Sequence, residues 1–295
     1  MTQTLPIESA LPALLDALRS TRRVVLQAPP GAGKTTRVPL ALREAGLITG
    51  KILMLEPRRL AARATAQRMA QTLGESAGET VGYRIRGEAK ISKRTQIEVV
   101  TEGILTRMLQ SDPELPGIGA VIFDEFHERS INSDLGLALC LEVAEALRED
   151  LHLIVMSATL DAEPIAQMMG APVVTSEGRA FPVTPVHLPK PRPKDHRLEH
   201  AIADLTTQAL RETKGDALVF LPGEGEIRRT ETALTKSLPK GCVIAPLFGA
   251  MPFKAQQAAL TPDPAQRKIV LATSIAETSL TIPGIRVVVD AGLAR

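Results

Sequence analysis

Short aliphatic runs alternate along this chain with longer stretches whose apolar residues recur every three or four positions. RRVVLQA (22–28), KILMLE (51–56), QIEVVT (96–101), AVIFDE (120–125) and LHLIVMSA (151–158) read as strands. Helical periodicity begins at Lys34, at RLAARATAQRMAQTL (59–73), at Glu102 and at SDLGLALCLEVAEALRE (133–149). The strands are apolar throughout rather than alternating, as strands buried on both faces must be. Strand–helix alternation of this kind predicts α/β architecture, with parallel sheet and right-handed crossovers. The proline-rich, basic HLPKPRPKDH (187–196) has no apolar period and reads as a linker. Beyond it the alternation resumes with a helix (198–212), DALVFLP (216–222), a helix (224–237), CVIAPL (242–247), RKIVLAT (267–273) and RVVVDAG (286–292). The expected organisation is therefore a first lobe over 1–186, a linker over 187–197 and a second lobe of similar design over 198–295.

Composition agrees with two lobes. A chain of 295 residues suits about two domains. Hydrophobic residues make up 44%, but aromatics only 2%, with no Trp and one Tyr, so the cores must be aliphatic. A net charge of +2 permits a polyanionic partner without requiring one. Cys140 and Cys242 lie in apolar segments without paired spacing, which points to buried thiols in a reducing compartment rather than a disulfide or metal site. The N-terminal MTQTLPIESALPALLDALRS has no basic leader region, and no apolar run is long enough to cross a bilayer. The expectation is a cytoplasmic protein with no membrane partner.

The chemistry lies at strand ends. APPGAGKTT (28–36) follows a predicted strand and opens a predicted helix, the context a phosphate loop requires. Around Gly31, Ala32 and Gly33 the backbone N–H groups can curl about oxygens. Lys34 reaches the outer phosphates, Thr35 can hold magnesium, and Thr36 continues the helix whose N-terminus favours anions. Ala28 stands where the strict loop pattern has Gly, which requires a negative φ there. VIFDEFHERS (121–130) then supplies the complementary half: a buried strand running into Asp124 and Glu125. Asp124 is expected to hold magnesium, partly through water, and Glu125 to orient and deprotonate an attacking water, since phosphoryl transfer needs mainly positioning and charge neutralisation. His127 has no second His or Cys at ligand spacing and reads as a hydrogen-bonding relay.

GKTT, EPRRLAA, TEGIL, DEFHER, SATL, FLPGEGEI and ATSIAETSLTI occur in that order over nearly the whole chain. This ordered set resembles the motifs of superfamily 2 helicases of the DEAH type. DEFHER, where most members have Ala in place of Phe, and the APPGAGKTT loop are most similar to the bacterial HrpB-type group. The resemblance implies two RecA-like lobes, ATP and Mg²⁺ as cofactors, and single-stranded RNA as partner, with DNA as the alternative. It implies catalytic roles for Lys34, Glu125 and His127, and backbone contacts to nucleic acid from Arg58, Arg59, Thr101 and Thr278. It further implies coupling roles for Ser157, Thr159, Ser274 and Glu277, and a monomeric full-length protein. The scarcity of aromatic rings favours a grip on phosphates over base stacking.

The family carries a further Gln- and Arg-rich motif, whose arginines reach the γ-phosphate, and this sequence stops at DAGLAR before it. The second lobe is therefore expected to lack its last strand and helix, and turnover by this chain to be weak. Three readings follow: an ATP-dependent RNA helicase, a clamp that binds ATP and RNA with little turnover, and a DNA translocase on the same lobes.

Overall fold

The computed structural model describes residues 5–158, 162–178, 182–188, 197–277 and 282–293. The chain forms two compact units that divide between Pro182 and Val183.

In the first unit the order is α1 (Leu11–Thr21), β1 (Arg23–Gln27), α2 (Lys34–Glu44), β2 (Lys51–Glu56), α3 (Arg59–Thr72), β3 (Val81–Ile85), β4 (Glu88–Lys90), β5 (Ile97–Thr101), α4 (Glu102–Ser111), β6 (Ile118–Phe123), α5 (Ile131–Ala146), β7 (His152–Ser157), α6 (Ala162–Met169) and β8 (Val173–Thr175). The strands form one sheet in the order β4-β3-β5-β2-β6-β7-β1-β8. Every pairing is parallel except the β3–β4 hairpin. All the βα turns from the parallel strands therefore open at one edge, where ligands of open α/β sheets bind.

Alternate residues of the central strands feed two aliphatic cores. Val24, Leu26, Ile52, Met54, Ile122 and Ile154 pack on the side of α1, α2 and α3. Val25, Leu53, Leu55, Val121, Phe123 and Val155 pack on the side of α4, α5 and α6. Burial on both faces explains why these strands lack polar alternation. The hairpin, β8, α1 and α6 were not expected from the pattern of the chain. The strand expected over 120–125 is β6, which ends at Phe123 rather than continuing through Glu125, because Glu125 takes a left-handed backbone with φ 49 that no strand continues.

The second unit contains α7 (Leu198–Glu212), β9 (Asp216–Phe220), α8 (Glu224–Thr235), β10 (Cys242–Leu247), α9 (Phe253–Leu260), β11 (Arg267–Ala272) and β12 (Ile285–Asp290). Its described strands pair in parallel in the order β10-β11-β9-β12. Its core joins Ile202 and Leu210 of α7 and Ile227 and Leu234 of α8 to Val219, Leu271 and Val289 of the sheet. Among the described residues no helix is long and apolar enough to cross a membrane. Most of the expected linker, residues 189–196, lies outside the described residues.

Close backbone approach at one strand of the first sheet gives a test of this packing. A Cβ added at Gly119 in β6 would lie 2.1 Å from the Thr49 carbonyl oxygen and 2.8 Å from Ile48 Cγ2. Gly119→Ala is therefore expected to cost about 3 kcal/mol, read as a lowered denaturation midpoint. An unchanged midpoint would show that the 48–49 loop yields freely.

Candidate functional site

Lys34 begins α2 directly after a turn shaped by two glycines, with Gly31 at φ +78 and Gly33 at φ +93. A Cβ at Gly31 would meet nothing within 4 Å, so the turn is open on that side. A Cβ at Gly33 would come within 2.8 Å of Leu5 Cδ1. Ala28 is not among the residues with positive φ, as its side chain requires. The turn is closed from Ala32 N–H to the Pro29 carbonyl at 3.2 Å, and Ile7 N–H donates to the Ala32 carbonyl at 3.1 Å. The phosphate-loop candidate is thus braced from its own start and from the N-terminal segment.

Two strands away, the turn after β6 leans toward this loop. Lys34 Nζ donates to Glu125 Oε1 at 2.9 Å, and Thr35 Oγ1 donates to Asp124 Oδ2 at 2.5 Å. The Glu125 N–H donates to Asp124 Oδ1 at 2.8 Å, and the Asp124 N–H to the Leu55 carbonyl at 3.1 Å. His127 ties this turn to the end of β7. The Ala158 N–H donates to its Nδ1 at 3.3 Å, which fixes the proton of the neutral ring on Nε2, 3.4 Å from Glu125 Oε2. Ser157, at the end of β7, is buried. Lys34, Thr35, Asp124, Glu125, His127 and Ser157 therefore gather at one edge of one sheet.

Burial governs the electrostatics. It would lower the Lys34 pKa, but Asp124 and Glu125 outweigh it and hold the ammonium above its ordinary range. Burial, assisted by Glu125 and opposed by Lys34 and Thr35, pushes Asp124 up to about 6. A third acid lies nearby that sequence reasoning did not single out. Glu56, the last residue of β2, is wholly buried, accepts one hydrogen bond from Thr65 Oγ1 at 3.2 Å, and has no partner at Oε2. Burial first, and then Asp124 and Glu125, push its carboxyl well above the usual carboxylate range. The signal was present only as a Glu closing an aliphatic strand, which reads equally well as a solvated strand end.

The arrangement suits a magnesium-bearing triphosphate. An ammonium has three donors, so Lys34 can keep Glu125 and still reach a phosphate oxygen. Thr35 and Asp124 offer adjacent hard oxygen donors, and magnesium takes one or two carboxylates with phosphate oxygens and waters completing its shell.

The nucleic-acid candidates divide. Arg58 and Arg59 lie at the start of α3, the first half-buried and the second exposed, and Thr101 sits at the N-terminus of α4. All three belong to the first unit, at the same sheet edge as the phosphate loop. Thr36 lies in the first turn of α2. In the second unit, Ser274 opens a short 3₁₀ turn after β11, and Glu277 follows it, both exposed. Thr159 and Thr278 lie outside the described residues.

Residues 8–168 match the family model for the DEAD/DEAH box helicase, and residues 197–295 match that for the helicase conserved C-terminal domain. The chain is 52% identical over 294 residues to the ATP-dependent RNA helicase HrpB of Escherichia coli (strain K12), covering 99% of this chain and 36% of that protein. It is 37% identical over 296 residues to the ATP-dependent RNA helicase HrpA of the same organism, covering 99% of this chain and 23% of that protein. Among solved structures, that of the Escherichia coli DEAH/RHA helicase HrpB matches with a TM-score of 0.92 at 52% identity, covering 99% of this chain and 37% of that one. The chain spans about a third or less of the length of these curated relatives.

The buried acid gives a pH test. The Glu56 carboxyl has a higher pKa folded than unfolded, so the folded state binds its proton more tightly. Its contribution to stability is then complete below the ordinary value of 4.5 and is lost as pH rises through the folded value. Glu56→Gln keeps the shape and the Thr65 contact without a titrating proton. Denaturation midpoints from acidic to alkaline pH are expected to fall less steeply for the variant than for the parent. Parallel curves would show that Glu56 keeps an ordinary pKa.

Proposed function

This chain belongs to the DEAD/DEAH box helicase family, and on that premise we propose that it is the two-lobed motor portion of an ATP-dependent RNA helicase, coupling ATP hydrolysis to movement on or unwinding of single-stranded RNA. The observation that carries this reading is the pairing of Lys34 with Glu125 and Thr35 with Asp124 at 2.9 and 2.5 Å, which unites the phosphate loop and the acidic turn. The 52% identity to a protein named an ATP-dependent RNA helicase supports the substrate class.

In this reading the N–H groups around Gly31, Ala32 and Gly33, with those of Lys34, Thr35 and Thr36, cradle phosphate oxygens at the start of α2. Lys34 neutralises charge on the outer phosphates. Thr35 and Asp124 hold magnesium, which when bound neutralises phosphate oxygens as charge shifts in the reaction. Glu125 accepts the proton of the attacking water. His127 donates from Nε2 toward Glu125 and accepts from the Ala158 N–H, so it carries the state of the acidic turn to the segment after β7. Ser157 and Thr159 belong to that segment, and Ser274 and Glu277 serve the same coupling from the second lobe. Arg58, Arg59, Thr101 and Thr278 hold the RNA backbone. Contacts of this kind supply affinity without sequence readout. Residues 1–186 and 198–295 act as the two lobes, joined by 187–197.

Glu125→Gln removes the base and keeps the shape. It is expected to lower ATP turnover by at least about a hundredfold while nucleotide affinity stays close to the parent's. Turnover measured with no nucleic acid, with single-stranded RNA and with single-stranded DNA completes the test. Stimulation by DNA but not RNA would replace the RNA reading, and equal turnover by parent and variant would remove Glu125 from the mechanism.

A further inference from the structure

The acidic turn is held under backbone strain at both ends. Glu125 and Arg129 each have φ 49, a left-handed conformation uncommon for residues other than Gly, and the 3₁₀ turn Phe126–Glu128 lies between them. The turn is closed from the Glu128 N–H to the Glu125 carbonyl at 2.9 Å. Its far end is pinned. Arg129 pairs with Asp134 at 3.1 Å, and Ser130 Oγ donates to Glu102 Oε2 at 2.7 Å while accepting from the Ser133 N–H to cap α5. Glu102 adjoins Thr101 at the start of α4. Between these anchors, Glu128 Oε2 faces Arg58 NH2 at 3.4 Å, with both side chains largely buried at 20% and 25% exposure. A residue three positions beyond Glu125 thus touches one of the proposed RNA contacts.

The length of this pair decides its role. Charge-assisted hydrogen bonds run about 2.7–2.9 Å, and guanidinium prefers a two-armed grip on carboxylate or phosphate. At 3.4 Å the Arg58–Glu128 contact is longer than such a bond, so a phosphate that offers Arg58 a shorter one can displace it. The Glu128 carboxylate also stands where a phosphate approaching Arg58 would meet like charge. We propose that Glu128 is a positioning residue that competes with RNA phosphate for Arg58, so that backbone binding there loosens a tie on the strained turn carrying Glu125. This rests on the assignment of Arg58 to the RNA backbone made above. It adds a route, within the first unit alone, by which RNA is felt at the water-activating carboxylate.

The test measures affinity for a labelled single-stranded oligouridine at fixed salt for the parent, Arg58→Ala, Glu128→Gln and the double variant. Arg58→Ala is expected to weaken binding. Glu128→Gln is expected to tighten it roughly fivefold, the scale of one partly screened ion pair. The gain should shrink as salt rises and vanish in the Arg58→Ala background. RNA required for half-maximal ATP turnover should fall in step. Glu128→Ala should tighten binding to the same extent, which guards against an effect peculiar to the amide. A merely structural Glu128 would not raise affinity. Binding by Glu128→Gln equal to or weaker than the parent's, or a gain that survives without Arg58, overturns the competition. Parental affinity in Arg58→Ala would instead remove Arg58 from the RNA contacts, and the inference would fall with that assignment.

Discussion

The site depends on one ammonium kept charged inside the protein. Lys34 is nearly inaccessible to solvent, and burial alone would favour its neutral form. Asp124 and Glu125 reverse that preference, and their own burial is made tolerable by the same cation. Buried opposite charges of this kind are strongly interdependent, because removing one leaves the others uncompensated in a low-dielectric surrounding. Burial, and then the two acids themselves, push the Glu56 carboxyl upward, so this third acid resists adding its own negative charge to theirs. The cluster therefore presents a prearranged mixture of positive donor and hard oxygen, suited to a polyanion accompanied by a divalent ion.

That electrostatic unit stands on the sheet. The phosphate loop leaves β1, the acidic turn leaves β6, and the His127 contact falls after β7, which lies between them. Parallel pairing delivers all three to the same edge, and the two aliphatic cores hold the strands from either side. The Asp124 N–H bond to the Leu55 carbonyl extends the β2–β6 ladder by one residue before the backbone turns.

Much of this was legible in the chain, and what was not has physical reasons. Continuous runs such as KILMLE and AVIFDE announce strands covered on both faces, and GAGKTT after such a run announces a phosphate loop. VVT of β8 is too short to register as a period, and VGYRI carries a glycine and an arginine within five residues. The residues LPALLDALRS carry a helical stripe that places Leu11, Leu14 and Leu18 in the core, but an apolar stretch beside the N-terminus also has the look of a leader. The candidate polar residues stand out where a motif has local context. Glu56 escaped because its burial comes from α3 packing over it through Thr65. The Arg58–Glu128 pair joins residues 70 positions apart, which no local spacing reveals. The left-handed turn at Glu125 is invisible because no glycine marks it.

The position of β7 between β1 and β6 has a mechanical consequence. Neighbouring strands stand about 4.8 Å apart, so the bases of the two reactive turns are fixed by two ladder widths and not by any connecting segment. Insertions in the crossovers between these strands can lengthen or shorten the outside of the unit without retuning the gap. A one-residue slip of a strand along its neighbours would move its turn along the sheet edge, and it would also turn that strand's core side chains to the opposite face. The spacing is thus inherited with the hydrophobic core itself.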